Sequence, residues 1–271
     1  MRMKYDPIKR SLGSVFNTTP FLRIFFYRLL DLLLLRSWHI RRELRDLKKE
    51  GFKPEKVADA GSGFGQYVHY LSRSYPKAKI TGLDIKQEQV DDCNRFFTKL
   101  GKQDLVTFRY ADLTQMDIKE EYDLVLSVDV MEHIEDDRGV MRNIYQALKP
   151  GGYLFISTPS DQGGSDVHHE HDESFIDEHV RDGYGVEEIK EKLSGAGFKD
   201  IVVKYSYGKP GKISWKLSMK YPILLANVSK LFLLVLPFYY LLVYPFCFLL
   251  NMADTRGTHP TGTGLIVKCK K

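Results

Sequence analysis

Residues 57–65 read Val-Ala-Asp-Ala-Gly-Ser-Gly-Phe-Gly, and this stretch decides the fold class. It closes a short β-rich run at Ala60, and glycines then occupy alternate positions up to Gly65. A helical pattern opens directly afterwards, at Gln66. Glycines let the backbone turn and approach a ligand without a Cβ clash, and the start of a helix offers free N–H groups. The stretch therefore predicts a strand, a ligand-binding turn and a helix in succession.

The same alternation of strands and helices continues along the chain. Strands are predicted at Lys56–Ala60, Lys79–Leu83, Val106–Tyr110, Tyr122–Val128, Tyr153–Ser157, Ile201–Tyr207 and Gly264–Lys268. Helices are predicted near Pro20–Leu35, Trp38–Glu50, Gln66–Ser74, Gln87–Leu100, Arg138–Leu148 and Val186–Ala196. Strands joined by crossover helices form a parallel sheet, which binds ligands at the carboxyl ends of its strands.

Acidic residues stand at the ends of these strands. Asp84 ends the second strand nineteen positions after Gly65, where a carboxylate can accept hydrogen bonds from both hydroxyls of an adenosine ribose. Asp112 follows the third strand and suits an adenine edge. The fourth strand runs into residues 129–133, Asp-Val-Met-Glu-His. Because the carboxyl ends of parallel strands share one edge, we expect these groups to surround one crevice.

Taken together, these segments resemble the class I S-adenosylmethionine (SAM) methyltransferase family. The matching segments, in family order, are VADAGSGFG, ITGLDI, YADLTQMDI, YDLVLSVDVMEHIEDD and ALKPGGYLFISTPS. The resemblance covers about residues 56–160 and implies an α/β fold, Rossmann-like and doubly wound, with a mostly parallel seven-stranded sheet and a terminal β-hairpin. It implies SAM as the cofactor. A dehydrogenase motif G-x-G-x-x-G is not matched, because Gln66 occupies the place of its third glycine.

The resemblance also assigns residues to parts of the cofactor. The residues that would cradle the methionine part are Asp59, Gly61, Gly63 and Gly65. Asp84 would bind the ribose, and Ile85 and Asp112 the adenine. The remaining cofactor contacts expected at these strand ends are Ala60, Ser62, Ala111, Leu113, Ser127 and Asp129.

His133 is the candidate catalytic residue. It stands just past the fourth strand, where the resemblance places the reactive sulfonium, so it could orient the acceptor or take a proton. The alternative is a histidine that only packs at the start of the next helix.

The segment Ser160–Gly185 contains the run His168-His169-Glu170-His171-Asp172. Neighbouring loop residues rarely converge on one ion, so no metal site is expected. The segment is interpreted as a lid over the substrate, or as a solvated loop without a role. The substrate contacts expected from it are His168, His171, Arg181 and Tyr184.

Composition limits the partners and the compartment. The 271 residues include 40 Lys and Arg against 35 Asp and Glu, a net charge of +5 spread along the chain. This is too weak to predict nucleic-acid binding, but it agrees with an anionic membrane surface. Cys93, Cys247 and Cys269 are far apart and form no C-x-x-C motif, which predicts neither disulfides nor zinc and favours the cytoplasm.

A stretch of twenty residues without a charge, Leu231–Leu250, is long enough to cross a bilayer as a helix. If the strands on either side join one sheet, however, the stretch must enter and leave on one side. Pro237 and Pro245 are expected to interrupt the helix, with lysines and tyrosines at head-group depth. We therefore favour a helical hairpin embedded in the membrane surface. The alternatives are a true span and a buried cap or dimer contact.

The sequence thus predicts an N-terminal helical cap at 1–55, a methyltransferase domain at 56–208 and 259–271, and an apolar helical insertion at 209–258. The expected function is methyl transfer from SAM to a lipophilic, membrane-derived small molecule, on the cytosolic face of a membrane. Two other functions remain open. One is a soluble small-molecule methyltransferase whose insertion serves dimerisation, and the other is a SAM-binding membrane adaptor without catalysis. The oligomeric state is not predicted.

Overall fold

The computed structural model describes residues 19–163, 180–229 and 231–271. Seven strands in these ranges form a single sheet. The strands are β1 (Lys56–Ala60), β2 (Lys79–Asp84), β3 (Val106–Tyr110), β4 (Tyr122–Val128), β5 (Leu148–Pro159), β6 (Lys199–Ser206) and β7 (Gly264–Lys270). The central strands are apolar along most of their length, as expected for strands that are covered on both faces.

The strand order is β3-β2-β1-β4-β5-β7-β6. Strands β1 to β5 run parallel to their neighbours, while β7 lies antiparallel between β5 and β6. The sequence-based fold class is confirmed, including the terminal hairpin. Strand β5 begins earlier than predicted, because Leu148 already pairs with Tyr122 before the register shifts at the Lys149–Gly152 turn.

Helices cover both faces of the sheet. The helices are α1 (Pro20–Leu33), α2 (Leu35–Lys49), α3 (Gln66–Ser74), α4 (Gln87–Lys99), α5 (Asp137–Ala147), α6 (Val186–Ala196), α7 (Lys209–Trp215), α8 (Tyr221–Val228) and α9 (Phe232–Arg256). Residues of α1 to α4 share one buried core with the sheet, and residues of α5 and α6 form the core on the other face. The domain is therefore a three-layer αβα sandwich.

The two N-terminal helices pack over the first half of the sheet. They are separated only by Leu34, whose backbone is extended at φ −87° and ψ 107°. The sequence predicted a wider gap, from Leu35 to Trp38. The connection is shorter because Leu34 and Leu35 are both buried. Their side chains pack into the protein at the point where the chain turns from one helix into the next.

The insertion leaves and rejoins the sheet at one edge. Strand β6 ends at Ser206, which pairs with Gly264 at the start of β7, and Gly264 also pairs with Pro159 at the end of β5. Since β6 runs parallel to β5, this is the carboxyl edge of the parallel strands. The insertion between these strands is a helical hairpin, in which α7, a π-helical segment (Lys216–Lys220) and α8 pack against α9.

The predicted interruption of the apolar helix by Pro237 and Pro245 is wrong, because both prolines lie inside a continuous α9. A proline removes one backbone donor without forcing the helix to end, and the chain reverses instead between α8 and α9. Within the described ranges, Leu234–Arg256 is the one helix long and apolar enough, by length and composition, to cross a membrane.

Candidate functional site

The glycine loop after β1 is held tightly against β2 and β4. The N–H groups of Gly61 and Ser62 donate to the carbonyl of Leu83, at 2.8 and 2.9 Å. Gly61 has φ +82°, and a Cβ at this position would lie 2.2 Å from Cγ2 of Val130. Only glycine fits there, so the loop lies directly beside the end of β4.

Asp84 joins the loop to the end of β2. One carboxylate oxygen accepts from the Gly63 N–H at 2.7 Å, and the other accepts from the Lys86 N–H at 2.9 Å. At Gly63, with φ +51°, a Cβ would have no atom nearer than Oε1 of Gln89 at 3.8 Å. This glycine therefore faces open space, and the structure brings the predicted loop and the predicted ribose-binding carboxylate together.

Three buried polar groups at these strand ends form no hydrogen bond with any described residue. They are Oδ2 of Asp59, Oγ of Ser62 and Oγ of Ser127. Burial, and then the charge of Asp84, raise the pKa of Asp59 to about 8. Unpaired buried polar groups are costly, and here they await a ligand with hydrogen-bonding and cationic groups. SAM carries an ammonium and a sulfonium, so the residues present fit this cofactor.

The third strand end is arranged for a flat, partly apolar group. The Ala111 N–H donates to the carbonyl of Asp84 at 2.9 Å, which sets the position of Asp112. One oxygen of Asp112 accepts from both the N–H and the hydroxyl of Thr114. Beside it, the side chain of Ile85 is 56% exposed, whereas Leu113 is buried. An exposed isoleucine at this edge can cover one face of a purine ring.

At the end of β4, Asp129 has an unusual backbone and a strong ion pair. Its φ is +53°, a strained value for a residue other than glycine. Its carboxylate lies 2.6 Å from Nη1 of Arg36, the second residue of α2. Tyr207, after β6, also has a positive φ of +54°, and its hydroxyl accepts from the Arg36 N–H at 3.2 Å. Such outliers cluster at functional sites.

Tyr67 completes this group, which we call the polar cluster: Arg36, Tyr67, Asp129 and Tyr207. The Tyr67 hydroxyl lies 3.1 Å from Oγ of Ser37, and burial raises its pKa to about 12. Sequence reasoning found Asp129 and missed the other three. Arg36 and Tyr207 stand outside the family motifs, and Tyr67 follows the glycine loop without any signal of its own.

His133 lies in a 3₁₀ turn (Met131–His133) directly after β4, with its N–H bonded to the carbonyl of Val130. Its neighbour Glu132 is buried and accepts from the Thr158 hydroxyl at 3.1 Å. Burial, and then the charge of Asp129, raise the pKa of Glu132 to about 8. The structure thus sets His133 beside a buried carboxylate, and its catalytic role stays a prediction.

Arg181 and Tyr184 lie in a buried ionic group around Asp137. Asp137 pairs with Arg181, accepts from the Tyr184 hydroxyl at 2.8 Å and lies 2.7 Å from Nζ of Lys192. The Tyr184 hydroxyl oxygen also lies 3.1 Å from the carbonyl oxygen of Met131. Both expected substrate residues therefore have structural partners that hold this part of the chain against the 3₁₀ turn.

The other two expected substrate residues, His168 and His171, lie outside the described residues, as does the whole histidine-rich run. Within the described ranges, no group of three or more His, Cys, Asp or Glu side chains could hold a metal ion.

Comparison with known proteins adds a family match. Residues 58–156 match the family model described as "Methyltransferase domain". Phosphoethanolamine N-methyltransferase 1 of Triticum aestivum is 29% identical over 154 residues, which cover 55% of this chain and 29% of that protein. Sterol 24-C-methyltransferase of Debaryomyces hansenii is 31% identical over 102 residues, covering 37% of this chain and 27% of that protein. The chain thus spans less than a third of the length of these two curated relatives.

A solved structure shares the fold over more of the chain. Haemonchus contortus phosphoethanolamine N-methyltransferase 2, in complex with phosphomonomethylethanolamine and S-adenosylhomocysteine, superposes with a TM-score of 0.59 at 22% identity. The likeness covers 85% of this chain and 53% of that one. At this identity the likeness shows a common fold.

Proposed function

We propose that this chain, in which residues 58–156 form a class I SAM-dependent methyltransferase domain, methylates a lipophilic acceptor that it reaches from a membrane surface. The relatives' names do not decide the acceptor, because they include both the polar phosphoethanolamine and a sterol. The acceptor class rests on the insertion.

The observation that carries the proposal is the position of the apolar hairpin. Its first helix begins three residues after Ser206 and its last helix ends eight residues before Gly264. These two residues pair with each other at the carboxyl edge of the sheet, the edge that also bears the glycine loop and Asp84. An apolar acceptor held by the hairpin would therefore be close to the cofactor.

The hairpin presents a wide apolar surface to its surroundings. Along α9, Leu234 and Leu241 are each 73% exposed and Leu242 is 79% exposed. Several large apolar side chains that are this exposed on one helix are typical of contact with a membrane or a partner. Since both ends of the hairpin meet one sheet edge, we propose that it lies in the surface of the membrane, with the domain on the cytosolic side. A second copy of the chain is the competing occupant.

We propose that SAM lies across the ends of β1, β2 and β3. Asp59 and Ser62 would bind its methionine part, with Gly63 allowing close approach. Asp84 would bind the ribose, and Ile85 with the segment around Asp112 would hold the adenine. The remaining contacts proposed are Ala60, Gly61, Gly65, Ala111, Leu113, Ser127 and Asp129. When bound, SAM supplies an activated methyl group, and the protein contributes alignment of the acceptor.

The polar cluster gives the acceptor site a hydrogen-bonding end. Arg36 contacts both Tyr207 and Asp129 at the end of β4, and the first helix of the hairpin begins two residues after Tyr207. This arrangement suits an acceptor with a polar reacting group on an apolar body. Hydroxyl groups from two tyrosines and the guanidinium could orient that group in a water-poor pocket.

The test is a transfer assay with SAM labelled in its methyl group. The full chain is incubated with labelled SAM and a lipid extract, or with the aqueous metabolites of the same cells, and products are separated by solvent extraction. We expect label in the organic phase for the wild-type protein. The matched control is Gly63→Val, which keeps the edge of the sheet but fills the open space at the loop and should give no label.

Each outcome decides between functions. Label confined to the aqueous products would overturn the lipophilic acceptor and favour a soluble methyltransferase. Tight SAM binding without label in either fraction would favour the non-catalytic adaptor.

A further inference from the structure

Helix α1 has the reverse of the usual distribution of polar and apolar residues. Its exposed positions are Phe21, Phe25, Arg28 and Leu32, at intervals of four, three and four residues that place them on one face. Phe21 is 75% exposed, whereas Arg23 is 2% exposed and Tyr27 is fully buried. A helix on a soluble protein normally buries its apolar face and exposes its charges. The exposed apolar face of α1 is therefore expected to contact another apolar surface.

The polar face of α1 is already occupied by the glycine loop. Nη2 of Arg23 donates to the carbonyl of Phe64 at 2.7 Å, and the Tyr27 hydroxyl donates to the same oxygen. Nη1 of Arg23 lies 2.6 Å from Asp92 on α4. These bonds fix the rotation of α1 about its axis, so the phenylalanines cannot turn inward without releasing the loop.

The apolar face of α1 adjoins the insertion. The Tyr244 hydroxyl of α9 donates to the carbonyl of Leu32 at 2.8 Å, and Nε1 of Trp38 donates to the same carbonyl at 3.1 Å. The Trp38 ring also packs edge-on against Phe248 of α9, with centroids 5.0 Å apart. The exposed faces of α1 and α9 thus meet at Leu32, and together we call them the apolar platform.

The charge around the platform indicates what covers it. From Lys209 to Ala253 the sequence contains no Asp or Glu, while lysines follow at 209, 212, 216, 220 and 230. The first three lie on α7 and its continuation at helical spacing, and Arg28 lies within the exposed face of α1. An apolar insertion whose charged side chains from Lys209 to Ala253 are all cationic matches a leaflet whose head groups are anionic. A protein partner would need no such one-sided charge.

We infer that the apolar platform, with the lysines of α7, binds the anionic leaflet of a lipid bilayer, and that α1 links this binding to the cofactor loop. The inference rests on the proposed membrane association. It adds α1 as a second lipid-binding helix, an anionic charge of the lipid, and an effect of lipid binding on the affinity for SAM. Lipid contact at Phe21 and Phe25 would hold α1 in the orientation in which Arg23 and Tyr27 bond Phe64. SAM should then bind more tightly to the protein on vesicles than to the protein in solution.

The test uses vesicles alone and needs no acceptor. The purified full chain, diluted out of detergent, is mixed with vesicles of phosphatidylcholine alone or of phosphatidylcholine with about 30% phosphatidylglycerol, whose head groups give the membrane a negative surface charge. Flotation measures binding. We expect the wild-type protein to float with the mixed vesicles. The fraction that floats with the neutral vesicles should be roughly tenfold smaller.

Variants separate the two parts of the platform. Phe21→Ser with Phe25→Ser should weaken flotation at least about tenfold, because two large apolar side chains lose their lipid contact. Lys209→Glu with Lys212→Glu and Lys216→Glu should abolish the preference for anionic lipid. The matched control is Leu105→Ser, which removes an exposed apolar side chain just before β3, at the opposite edge of the sheet, and should float as the wild type does.

The coupling is read by SAM affinity, measured with and without mixed vesicles. We expect vesicles to raise the affinity of the wild-type protein, and the phenylalanine variant to keep its affinity in solution but lose the increase. Equal flotation on both lipids, unchanged flotation of the phenylalanine variant, or a dimer that ignores vesicles would overturn the inference. None of these results depends on methyl transfer, so a failed acceptor assay and a failed flotation assay remain distinguishable.

Discussion

Among single residues, Asp59 has the clearest consequence for ligand binding. Its carboxyl group is buried without a partner among the described residues, and its pKa is raised from 3.8 to about 8. Because the pKa in the folded protein lies above its ordinary value, the unliganded protein loses stability as the pH rises between these two values. A cationic ligand that pairs with the carboxylate offsets that loss. Binding of SAM should therefore release a proton below pH 8.

We expect SAM to bind roughly tenfold more weakly at pH 7 than at pH 9, since most Asp59 side chains are protonated at the lower pH. Calorimetry in buffers of different ionisation enthalpy would measure both the affinity and the proton release. Asp59→Asn is the matched variant, and it should flatten the pH dependence. An equally steep dependence in that variant would assign the proton to another group.

Asp84 differs from Asp59 because the protein already uses both of its oxygens. It bonds the N–H groups of Gly63 and Lys86, so its removal would loosen the glycine loop as well as remove a ribose contact. Asp84→Ala should weaken SAM binding by about 1.5–3 kcal/mol, the scale for losing hydrogen bonds to a charged group. The control is Asp117→Ala, an exposed acid beyond β3, which should bind SAM normally. Unchanged affinity of the Asp84 variant would remove this residue from the site.

Single residues also show where sequence reasoning stops. Asp59, Asp84 and the glycines were predictable because each follows a strand at a spacing set by the turn itself. Arg36 and Tyr207 lie 171 positions apart and meet only through the packing of α2 against the end of β6. Arg181 carries a charge that suggested substrate binding, and only the structure reveals its buried partner Asp137.

At the scale of elements, strand and helix limits followed from apolar periodicity and from the residues that end helices. Helices α3 and α6 and strands β1, β3 and β4 have the predicted limits. The insertion was different. Its reversal does not occur at a proline, and the register of α9 depends on the Tyr239 and Tyr240 hydroxyls, which donate to the carbonyls of Leu217 and Ser218. These carbonyls belong to the π-helical segment, which no local sequence signal predicted.

Asp254 ties the insertion to the rest of the protein. Its buried carboxylate accepts from the Gly211 N–H at 2.9 Å and the Tyr207 N–H at 3.2 Å. It also lies 2.9 Å from His39 of α2 and 3.3 Å from His259. Burial alone would raise the pKa of Asp254, but the hydrogen bond from His39 and the charges of the two histidines hold it below its usual value.

We expect Asp254→Ala to lower the free energy of unfolding by about 3 kcal/mol or more, because it leaves several buried donors without an acceptor. Since the folded pKa is depressed, the stabilisation by Asp254 is present above pH 4, roughly its unfolded pKa, and is lost as the pH falls further. Urea unfolding at pH 7 and pH 3 would measure it, and the variant should lose less on acidification. Asp104→Ala, an exposed acid before β3, is the control; an equal loss there would contradict the argument.

For the whole molecule, the sheet order followed from the family resemblance and from the rule that crossovers join parallel strands. The shape of the acceptor region did not. Its polar cluster combines α2, α3, β4 and the end of β6, and the apolar platform combines the first and last helices of the described chain. Such combinations depend on long-range packing. Their residues are far apart in the sequence, and no fixed spacing between them predicts that they meet.

The same long-range pairing makes a prediction about membrane topology. Ser206 and Gly264 pair within one sheet, and Asp254 bonds the Gly211 N–H, so both ends of the insertion leave from one place. A helix hairpin that starts and ends there cannot put its two ends on opposite sides of a bilayer. Cysteines introduced singly at Lys209 and Thr258, both exposed, should therefore react with an impermeable maleimide from the same side.

The measurement needs a protein without its native thiols. The three native cysteines, Cys93, Cys247 and Cys269, are all buried and are replaced by alanine. A cysteine at Asp117, exposed on the methyltransferase domain, reports the side on which the domain lies. We expect all three introduced cysteines to react in inverted vesicles and none in sealed cells. Labelling of the Lys209 and Thr258 positions from opposite sides would establish a true span. That result would contradict the pairing of β6 with β7 in one sheet. A wild-type protein that stays soluble and dimeric without detergent would instead assign the apolar surface of α9 to contact between two copies.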